Sequence, residues 1–322
     1  MSNKPSIIFF GTPEFAVPTL KILVENGYFI SAVVTVPDKP AGRGQKVVSS
    51  AVKQFAEMHG LKILQPIRLK DEEFINELKS LKADLQIVVA FRMLPEAVWN
   101  MPPLGTFNLH GSLLPHYRGA APINWAVING EKKTGVTTFF LKHEIDTGNI
   151  IFQHEIEIAE DDNAGTVHDK LMKVGANLVL KTVQAIEGGS LKTIEQGSVK
   201  VQRLHSAPKL NRENTRLSIL MSPIVAKNFV RGLSPYPAAH MDLYNSSGIS
   251  FSMKVYEADA TLEEHHFASG KIGTDNKTYM RIYLPGGYLS ILELQLSGRN
   301  KMKIKDFLNG VKLEGDWSVN HS

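Results

Sequence analysis

The chain has 322 residues, 43% of them hydrophobic, with a formal net charge of +4 and no cysteine. The lack of cysteine excludes disulfides, thiolate metal sites and a cysteine nucleophile. The length predicts about two domains, and the mild positive charge is compatible with RNA or another polyanion without requiring one.

The N-terminus leads directly into the strand-like run Ile7-Ile-Phe-Phe10, with no secretory hydrophobic region before it. No apolar run reaches the roughly 18 residues that indicate a membrane span. We therefore expect a cytoplasmic protein without a membrane partner, and we take it to be a monomer.

Apolar runs alternate with helical patterns through residues 1–189. Thr12-Pro-Glu14 predicts a helix start, because it combines a capping hydroxyl, a proline at the first helical position and an acid in the first turn. The alternation favours an α/β fold with a Rossmann-like, mostly parallel sheet and helices on both faces. Strands are predicted over residues 7–10, 29–35, 62–64, 84–90, 106–110, 136–141 and 150–158, and further helices over 51–59, 71–81, 122–128 and 164–187.

Residues 190–214 lose this periodicity and gain glycine, serine, proline and basic residues, which is typical of a linker. The chain then shows one helical segment, 224–232, followed by short alternating segments that predict strands. Turn residues separate these segments, which are 241–244, 250–256, 279–284 and 288–294. Residues 215–322 are therefore predicted to form a smaller, OB-like β-barrel domain.

Two polar residues occur at the end of the strand predicted over residues 106–110. Asn108 and His110 are two positions apart, so their side chains point to the same face of the sheet, while Phe107 and Leu109 point to the other. The carboxyl ends of strands in an α/β sheet border the crevice where such folds bind ligands. The pair is a candidate site, although spacing alone equally favours hydrogen bonds to the following loop.

An acidic residue occurs in a glycine-containing turn between the strands predicted over 136–141 and 150–158. On local grounds Asp146 is more often a turn former than a catalytic group. Glu144, two residues earlier, is an equally good acid. Local sequence therefore does not choose between them.

Two basic segments are candidates for phosphate contacts. Residues 37–46, with two prolines and two glycines, predict an irregular surface loop. Residues 297–305 carry basic residues at alternating positions, which an extended backbone would place on one face; a charged strand edge is the alternative. The basic residues are Lys39, Arg43 and Lys46 in the first segment, and Arg299, Lys301, Lys303 and Lys305 in the second.

The polar residues above lie in segments that resemble the folate-dependent formyltransferases. The signature consists of Asn108-Leu-His110, Ser112-Leu-Leu-Pro115 and Asp146-Thr-Gly148. Further segments resemble the branch of this family that acts on a charged tRNA, and together they span almost the whole chain. They are Phe10-Gly-Thr-Pro-Glu-Phe15, Pro37-Asp-Lys-Pro-Ala-Gly-Arg-Gly44, Gln65-Pro66, His116-Tyr-Arg-Gly-Ala-Ala-Pro-Ile123, Thr134-Gly-Val-Thr137, Arg231-Gly-Leu-Ser-Pro-Tyr-Pro237 and Asp306-Phe-Leu-Asn-Gly310.

The resemblance implies 10-formyltetrahydrofolate as the co-substrate and the α-amine of methionine on initiator tRNA as the acceptor, with no metal. It implies oxyanion stabilisation by Asn108, proton transfer by His110 and orientation of that imidazole by Asp146. The folate-binding residues it implies are Ser112, Leu113, Leu114, Pro115, Phe91 and Arg92. The tRNA-binding residues expected from the basic segments are Lys39, Arg43, Lys46, Arg299, Lys301 and Lys303.

One segment departs from the family pattern. The family usually has Ala-Tyr-Gly followed by Ile-Leu-Pro before the first catalytic strand. Here the segment is Ala90-Phe-Arg-Met-Leu-Pro95, one residue shorter and with Arg92 in place of glycine.

Three other functions remain as alternatives. A formyltransferase acting on a sugar amine or on glycinamide ribonucleotide would share the signature, but we do not expect it to carry the 37–46 loop and the C-terminal domain in this form. A nucleotide-dependent oxidoreductase is disfavoured because Gly11-Thr-Pro-Glu-Phe15 is not G-x-G-x-x-G. A non-catalytic RNA-binding protein would have no need of Asn108, His110 and Asp146 together.

Overall fold

A computed structural model of the chain describes residues 4–41, 46–189, 191–199 and 203–319. Contacts divide the chain into two units. The first unit consists of Met1–Pro122, Thr134–Ile156 and His168–Ser206. The second consists of Ile123–Lys133, Glu157–Val167 and Ala207–Ser322, so it includes two segments from the region predicted as the catalytic domain.

Up to residue 207, helices are interspersed with single strands or short runs of consecutive strands. Short 3₁₀ helices cover Glu14–Ala16 and Gln196–Ser198. The strands are β1 Ile7–Gly11, β2 Ile30–Val34, β3 Lys39–Ala41, β4 Lys46–Val48, β5 Ile63–Leu64, β6 Leu85–Val89, β7 Thr106–His110, β8 Arg118–Gly119, β9 Lys133–Phe140, β10 Ile150–Glu157 and β11 Ser206–Ala207. The helices are α1 Val17–Glu25, α2 Ala51–Met58, α3 Glu72–Ser80, α4 Glu96–Trp99, α5 Pro122–Ile128 and α6 Ala164–Glu187.

The main sheet has the order β10-β9-β7-β6-β1-β2-β5. Strands β7, β6, β1, β2 and β5 pair in parallel, and β9 pairs antiparallel with β7. Every residue of β1, β2 and β6 is buried, as expected for strands covered on both faces. The predicted Rossmann-like, mostly parallel sheet is therefore confirmed.

The two faces of this sheet pack against different helices. On one face, Ile8 and Phe10 of β1 form a core with Phe74 of α3 and Val98 of α4. On the other face, Leu109 of β7 lies against α6. A Cβ added to Gly175 of α6 would lie only 2.8 Å from Cδ2 of Leu109.

The polar pair Asn108 and His110 lies on the face that α3 covers. Val88 of β6 pairs with Asn108 of β7, so the two side chains share a face, and Val88 belongs to the core that α3 covers.

The 37–46 segment is not an irregular loop throughout its described part. β3 and β4 pair antiparallel, with Pro40 opposite Val47. These strands form their own two-stranded sheet, where proline is tolerated because its missing N–H interrupts no larger ladder. Arg43 lies outside the described residues, as does the side chain of Lys46.

From residue 215 onward, one helix precedes an antiparallel sheet, and a second, short helix lies before the last strand of that sheet. The sheet order is β14-β15-β16-β13-β12-β18, with β17 paired to β16. A bridge between Lys271 and Ser318 brings the two ends together, so the barrel is nearly closed. The elements are α7 Pro223–Leu233, β12 Ala239–Asn245, β13 Ser250–Leu262, β14 Ile272–Thr274, β15 Met280–Leu284, β16 Gly287–Leu296, β17 Met302–Lys303, α8 Ile304–Gly310 and β18 Trp317–Val319.

The barrel confirms the predicted small β-domain, but the basic segment at its end differs from the prediction. Only Met302–Lys303 is extended, and Lys305 lies in helix α8. The helix forms because Ile304, Phe307 and Leu308 bury an apolar stripe with helical spacing, which outweighs the alternation of charges. The four basic residues therefore do not share one strand face.

Across the part of the chain that the structure describes, no helix is both long enough and apolar enough to cross a membrane.

Candidate active site

Strand β7 carries the two polar residues singled out by the sequence. Its residues are buried except Asn108, which is half-buried. Within the described residues, the Asn108 side-chain amide has no hydrogen-bond partner, so its donors and its acceptor are available to a ligand. The strand thus presents an unpaired amide next to the imidazole of His110.

The imidazole of His110 is held by the loop that follows its strand. Its Nε2 atom lies 2.8 Å from the carbonyl oxygen of Tyr117, which can only accept a hydrogen bond. Nε2 therefore carries a proton, and Nδ1 is the nitrogen left for other chemistry. The Phe139 ring lies edge-on to the imidazole, with a centroid distance of 6.4 Å.

Asp146 lies opposite that nitrogen. Its Oδ2 is 3.8 Å from Nδ1 of His110, too long for a hydrogen bond but close enough for charge interaction. The same oxygen accepts a hydrogen bond of 3.0 Å from the backbone N–H of Gly119. Both side chains are largely shielded, at 7% and 12% exposure.

The turn that holds Asp146 has an unusual backbone. Asp146 has φ 55°, in the left-handed region that aspartate enters more readily than most residues. A Cβ on Gly148 would lie 1.5 Å from the carbonyl oxygen of Phe140, so no larger residue fits there. Glu144, the alternative acid, is exposed, and the structure brings only Asp146 to His110.

The segment Ser112-Leu-Leu-Pro115 is fixed by Thr137 of the neighbouring strand β9. The Thr137 hydroxyl donates to the carbonyl of Ser112 and accepts from the N–H of Leu114. Gln153 of β10 donates to the carbonyl of Leu114 over 2.8 Å. The Ser112 hydroxyl donates to the carbonyl of His116, so it is already engaged in the loop.

Phe91 and Arg92 follow β6, where Ala90 has φ 48°. Phe91 packs against Phe10, with ring centroids 5.7 Å apart. Arg92 donates to the backbone carbonyls of Pro66 and Ile67. The arginine that replaces the family's glycine therefore ties the loop after β6 to the loop after β5.

The remaining histidines near the site have other contacts. His143 is exposed and pairs with Glu96 at 3.2 Å. His116 packs its ring against those of Tyr117 and His205. Among the described residues, no group of three His, Asp or Glu side chains is arranged to hold a metal ion.

One residue near the site lay inside the predicted linker and had no signal in the sequence. Gln196 is 4% exposed, and its side-chain amide donates to the carbonyls of Asp146 and Gly148. Its bonding partners lie far away along the chain, so neither spacing nor periodicity could have indicated the contact.

The basic residues of the barrel end have unequal surroundings. Lys301 pairs with Glu293 at 2.5 Å, and Lys303 pairs with Glu257 at 2.7 Å and Glu293 at 3.5 Å. Arg299 is exposed and forms no ion pair among the described residues. Lys39, in β3, is also exposed.

Comparisons with known proteins define the class. A family model described as formyl transferase matches residues 4–183, and one described as formyl transferase, C-terminal domain, matches residues 209–312. A sugar 3N-formyl transferase, WlaRD, superposes with a TM-score of 0.62 at 21% identity over 92% of this chain and 100% of that chain. A glycinamide ribonucleotide transformylase from Symbiobacterium toebii covers 59% of this chain, with a TM-score of 0.51. The chain is thus a formyl transferase by class.

Curated relatives are more specific. A methionyl-tRNA formyltransferase of Bacteroides fragilis is 54% identical over 95% of this chain and 95% of the relative. One of Flavobacterium johnsoniae is 49% identical over 98% of this chain and 99% of the relative. The chain belongs to the methionyl-tRNA formyltransferase family.

Proposed function

We propose that this protein transfers the formyl group of 10-formyltetrahydrofolate to the α-amine of methionyl-initiator tRNA, giving N-formylmethionyl-tRNA for translation initiation. The observation that carries the proposal is the similarity to methionyl-tRNA formyltransferases at about half identity over nearly the whole chain. The arrangement of Asn108, His110 and Asp146 supports it with a chemistry suited to the reaction.

The amide of Asn108 is suited to stabilise negative charge. When an amine attacks a formyl carbon, charge develops on the formyl oxygen, and a fixed N–H donor in a shielded site stabilises that charge. Asn108 is half-buried, sits on a rigid strand and has no competing partner among the described residues. Its donor is therefore ready without prior reorganisation.

His110 and Asp146 are suited to move the protons. Nδ1 of His110 is unblocked, and an imidazole can take a proton from the attacking amine near neutral pH. Asp146 then faces the resulting imidazolium across 3.8 Å and stabilises its charge. The imidazolium returns the proton to N10 of the folate as the bond between N10 and the formyl carbon breaks. The anchor on Tyr117 keeps the ring from turning away during this exchange.

The donor would be bound beside this pair by Ser112, Leu113, Leu114, Pro115, Phe91 and Arg92. Two proteins of similar fold support the proposal of a folate donor. The crystal structure of WlaRD is described in the presence of 5-N-formyl-THF, and that of HypX from Aquifex aeolicus in complex with tetrahydrofolic acid. Leu113 is half-buried on a loop held by Thr137 and supplies apolar surface that suits a flat heterocycle. The Leu114 side chain is buried with Phe139 and Ile150, so it supports the loop from beneath. Bound folate supplies the activated formyl group, and we propose that no metal takes part.

For the tRNA, we propose contacts from Lys39, Arg43 and Lys46 in one segment and Arg299, Lys301 and Lys303 in the other. Phosphate contacts of this kind give affinity rather than sequence reading. We further propose that residues 1–189 form the catalytic domain, 190–214 a linker and 215–322 the tRNA-binding domain. A monomeric state and a cytoplasmic location complete the proposal.

The decisive experiment is a formyl-transfer assay with purified protein and 10-formyltetrahydrofolate. Charged initiator methionyl-tRNA, free methionine, glycinamide ribonucleotide and a nucleotide-sugar amine are offered as separate acceptors. We expect formylation of methionyl-tRNA alone. Formylation of the sugar amine or of glycinamide ribonucleotide, with methionyl-tRNA untouched, would show that the proposed acceptor is wrong.

A further inference from the structure

The side chain of Gln196 occupies the centre of a closed hydrogen-bond network around the Asp146 turn. Its Nε2 atom donates to the carbonyl oxygens of Asp146 and Gly148, each at 2.8 Å. Its Oε1 atom accepts from Nε and Nη2 of Arg118, at 3.0 and 2.7 Å. Both donors and both lone pairs of the amide are therefore used.

Arg118 also connects this amide to the carboxylate that faces His110. The next residue, Gly119, donates its backbone N–H to Oδ2 of Asp146. A ring of contacts thus runs from Arg118 to Gln196, from Gln196 to the Asp146 carbonyl, and from the Asp146 carboxylate back to Gly119. The backbone and the side chain of Asp146 are held from two sides.

The segment that carries Gln196 is itself attached to the exit of the turn. Ile194 and Ile150 exchange two backbone hydrogen bonds, of 2.8 and 2.9 Å. The 3₁₀ helix that begins at Gln196 follows directly. The backbone that carries Gln196 is therefore held beside the turn by hydrogen bonds.

We propose that Gln196 is a positioning residue, which holds the Asp146 turn in its left-handed conformation so that the carboxylate faces Nδ1 of His110. The inference rests on the proposed function, because it assumes that Asp146 acts in the reaction. Asp146 has φ 55°. This left-handed backbone conformation is unfavourable for most residues other than glycine and persists only where surrounding contacts stabilise it. Two hydrogen bonds to the carbonyls on either side of Thr147 supply that restraint.

The pattern of partners requires an amide. The carbonyls of Asp146 and Gly148 need a donor, while the guanidinium of Arg118 needs an acceptor. Glutamate would keep the contact with Arg118 and the volume of the side chain but would lose both donors. Gln196→Glu therefore removes the two hydrogen bonds that restrain the turn while preserving the contact with Arg118.

The test is a double-mutant cycle on the rate of formyl transfer to methionyl-tRNA. We expect Gln196→Glu to lower kcat about 10- to 100-fold, since displacements of about 1 Å in catalytic groups have effects of this size. In the Asp146→Ala background, the same substitution should lower kcat less than about twofold, because the group it positions is gone. Equal losses in both backgrounds would overturn the proposal.

Two further variants complete the design. Gln54→Glu makes the same chemical change on the exposed side of α2 and should leave kcat within about twofold of the native rate. If Gln196→Glu does not fold, Gln196→Met replaces it, since methionine has similar length and lacks the donors. Loss of activity in Asp146→Ala with none in the Gln196 variant defeats only this inference, whereas full activity of Asp146→Ala defeats the proposed role of Asp146 itself.

Discussion

Nε2 of His110 lies 2.8 Å from the carbonyl oxygen of Tyr117, and this contact decides which nitrogen of the ring is free. A carbonyl oxygen cannot donate, so the neutral imidazole must keep its proton on Nε2. Nδ1 then faces Asp146 as a lone pair, ready to accept a proton from a bound amine. The proposed chemistry of the site depends on this tautomer.

We predict that neutral His110 is the Nε2–H tautomer in the free protein. ¹⁵N chemical shifts of histidine-labelled protein, recorded above pH 8, distinguish the two nitrogens. The His110→Gln variant identifies the resonance that belongs to this ring. A proton found on Nδ1 would contradict the prediction. Nδ1 would then have no lone pair with which to accept the proton of the bound amine.

Asn108 is predicted to act through its N–H donor. Asn108→Asp keeps the size of the side chain but replaces the donor with a negative charge, and it should lower the single-turnover rate by about 10²- to 10³-fold. Asn108→Ala should lower it by a similar factor. The dissociation constant for tRNA is measured alongside and should not change. A rate within twofold of the native value in either variant would exclude Asn108 from the chemistry.

Arg299 and Lys303 are predicted to differ as phosphate contacts. Arg299 has no ion-pair partner among the described residues, whereas Lys303 already pairs with Glu257 and Glu293. Arg299→Ala should flatten the dependence of tRNA affinity on salt by about one phosphate contact. Lys303→Ala should flatten it less. Filter-binding or anisotropy titrations at several salt concentrations measure both slopes, and the reverse order would contradict the assignment.

Asp84 is predicted to give the first unit an acid-sensitive contribution to stability. The backbone N–H and hydroxyl of Ser6 donate to its carboxylate at 2.8 and 2.7 Å. Both hydrogen bonds lower the pKa of Asp84 below its usual value of 3.8, and the one from the backbone N–H has the larger effect. Since the folded pKa is the lower one, the stabilisation is present above the pKa of the unfolded chain and is lost as pH falls through the folded value.

Asp84→Asn should therefore lower the free energy of unfolding by about 1 kcal/mol at pH 7. The difference from the native protein should stay constant between about pH 8 and 5 and shrink below about pH 4. Urea unfolding at a series of pH values measures it. A difference that grows on acidification would show that the carboxylate is not stabilised in its charged form.

The sequence predicted the elements that depend on local pattern. The same-face placement of Asn108 and His110 follows from the two-residue repeat of a strand, and the buried strands of the sheet follow from their apolar runs. The short strands β14 and β18 were not predicted, because three-residue segments carry little periodicity. The alternation of basic residues over 299–305 predicted one extended segment, and this prediction was wrong. The helical spacing of the apolar residues Ile304, Phe307 and Leu308 determines the local structure instead.

Long-range contacts were beyond prediction from the residues alone. Local sequence could not separate Asp146 from Glu144, and the structure does so because the turn places only Asp146 within 3.8 Å of His110. Gln196 looked like part of a linker because its partners are 50 and 78 residues away. Arg92 appeared as a departure from a family pattern, and its role in tying two loops together requires the positions of Pro66 and Ile67.

The proposed role of Asp146 is tested most directly by the single-turnover rate of formyl transfer to methionyl-initiator tRNA in the Asp146→Ala variant. We predict a folded protein with nearly normal tRNA affinity and a rate lower by about 10²-fold or more, as expected when the partner of a catalytic imidazole is lost. An unchanged rate would contradict it, because the carboxylate opposite His110 would then have no part in the reaction.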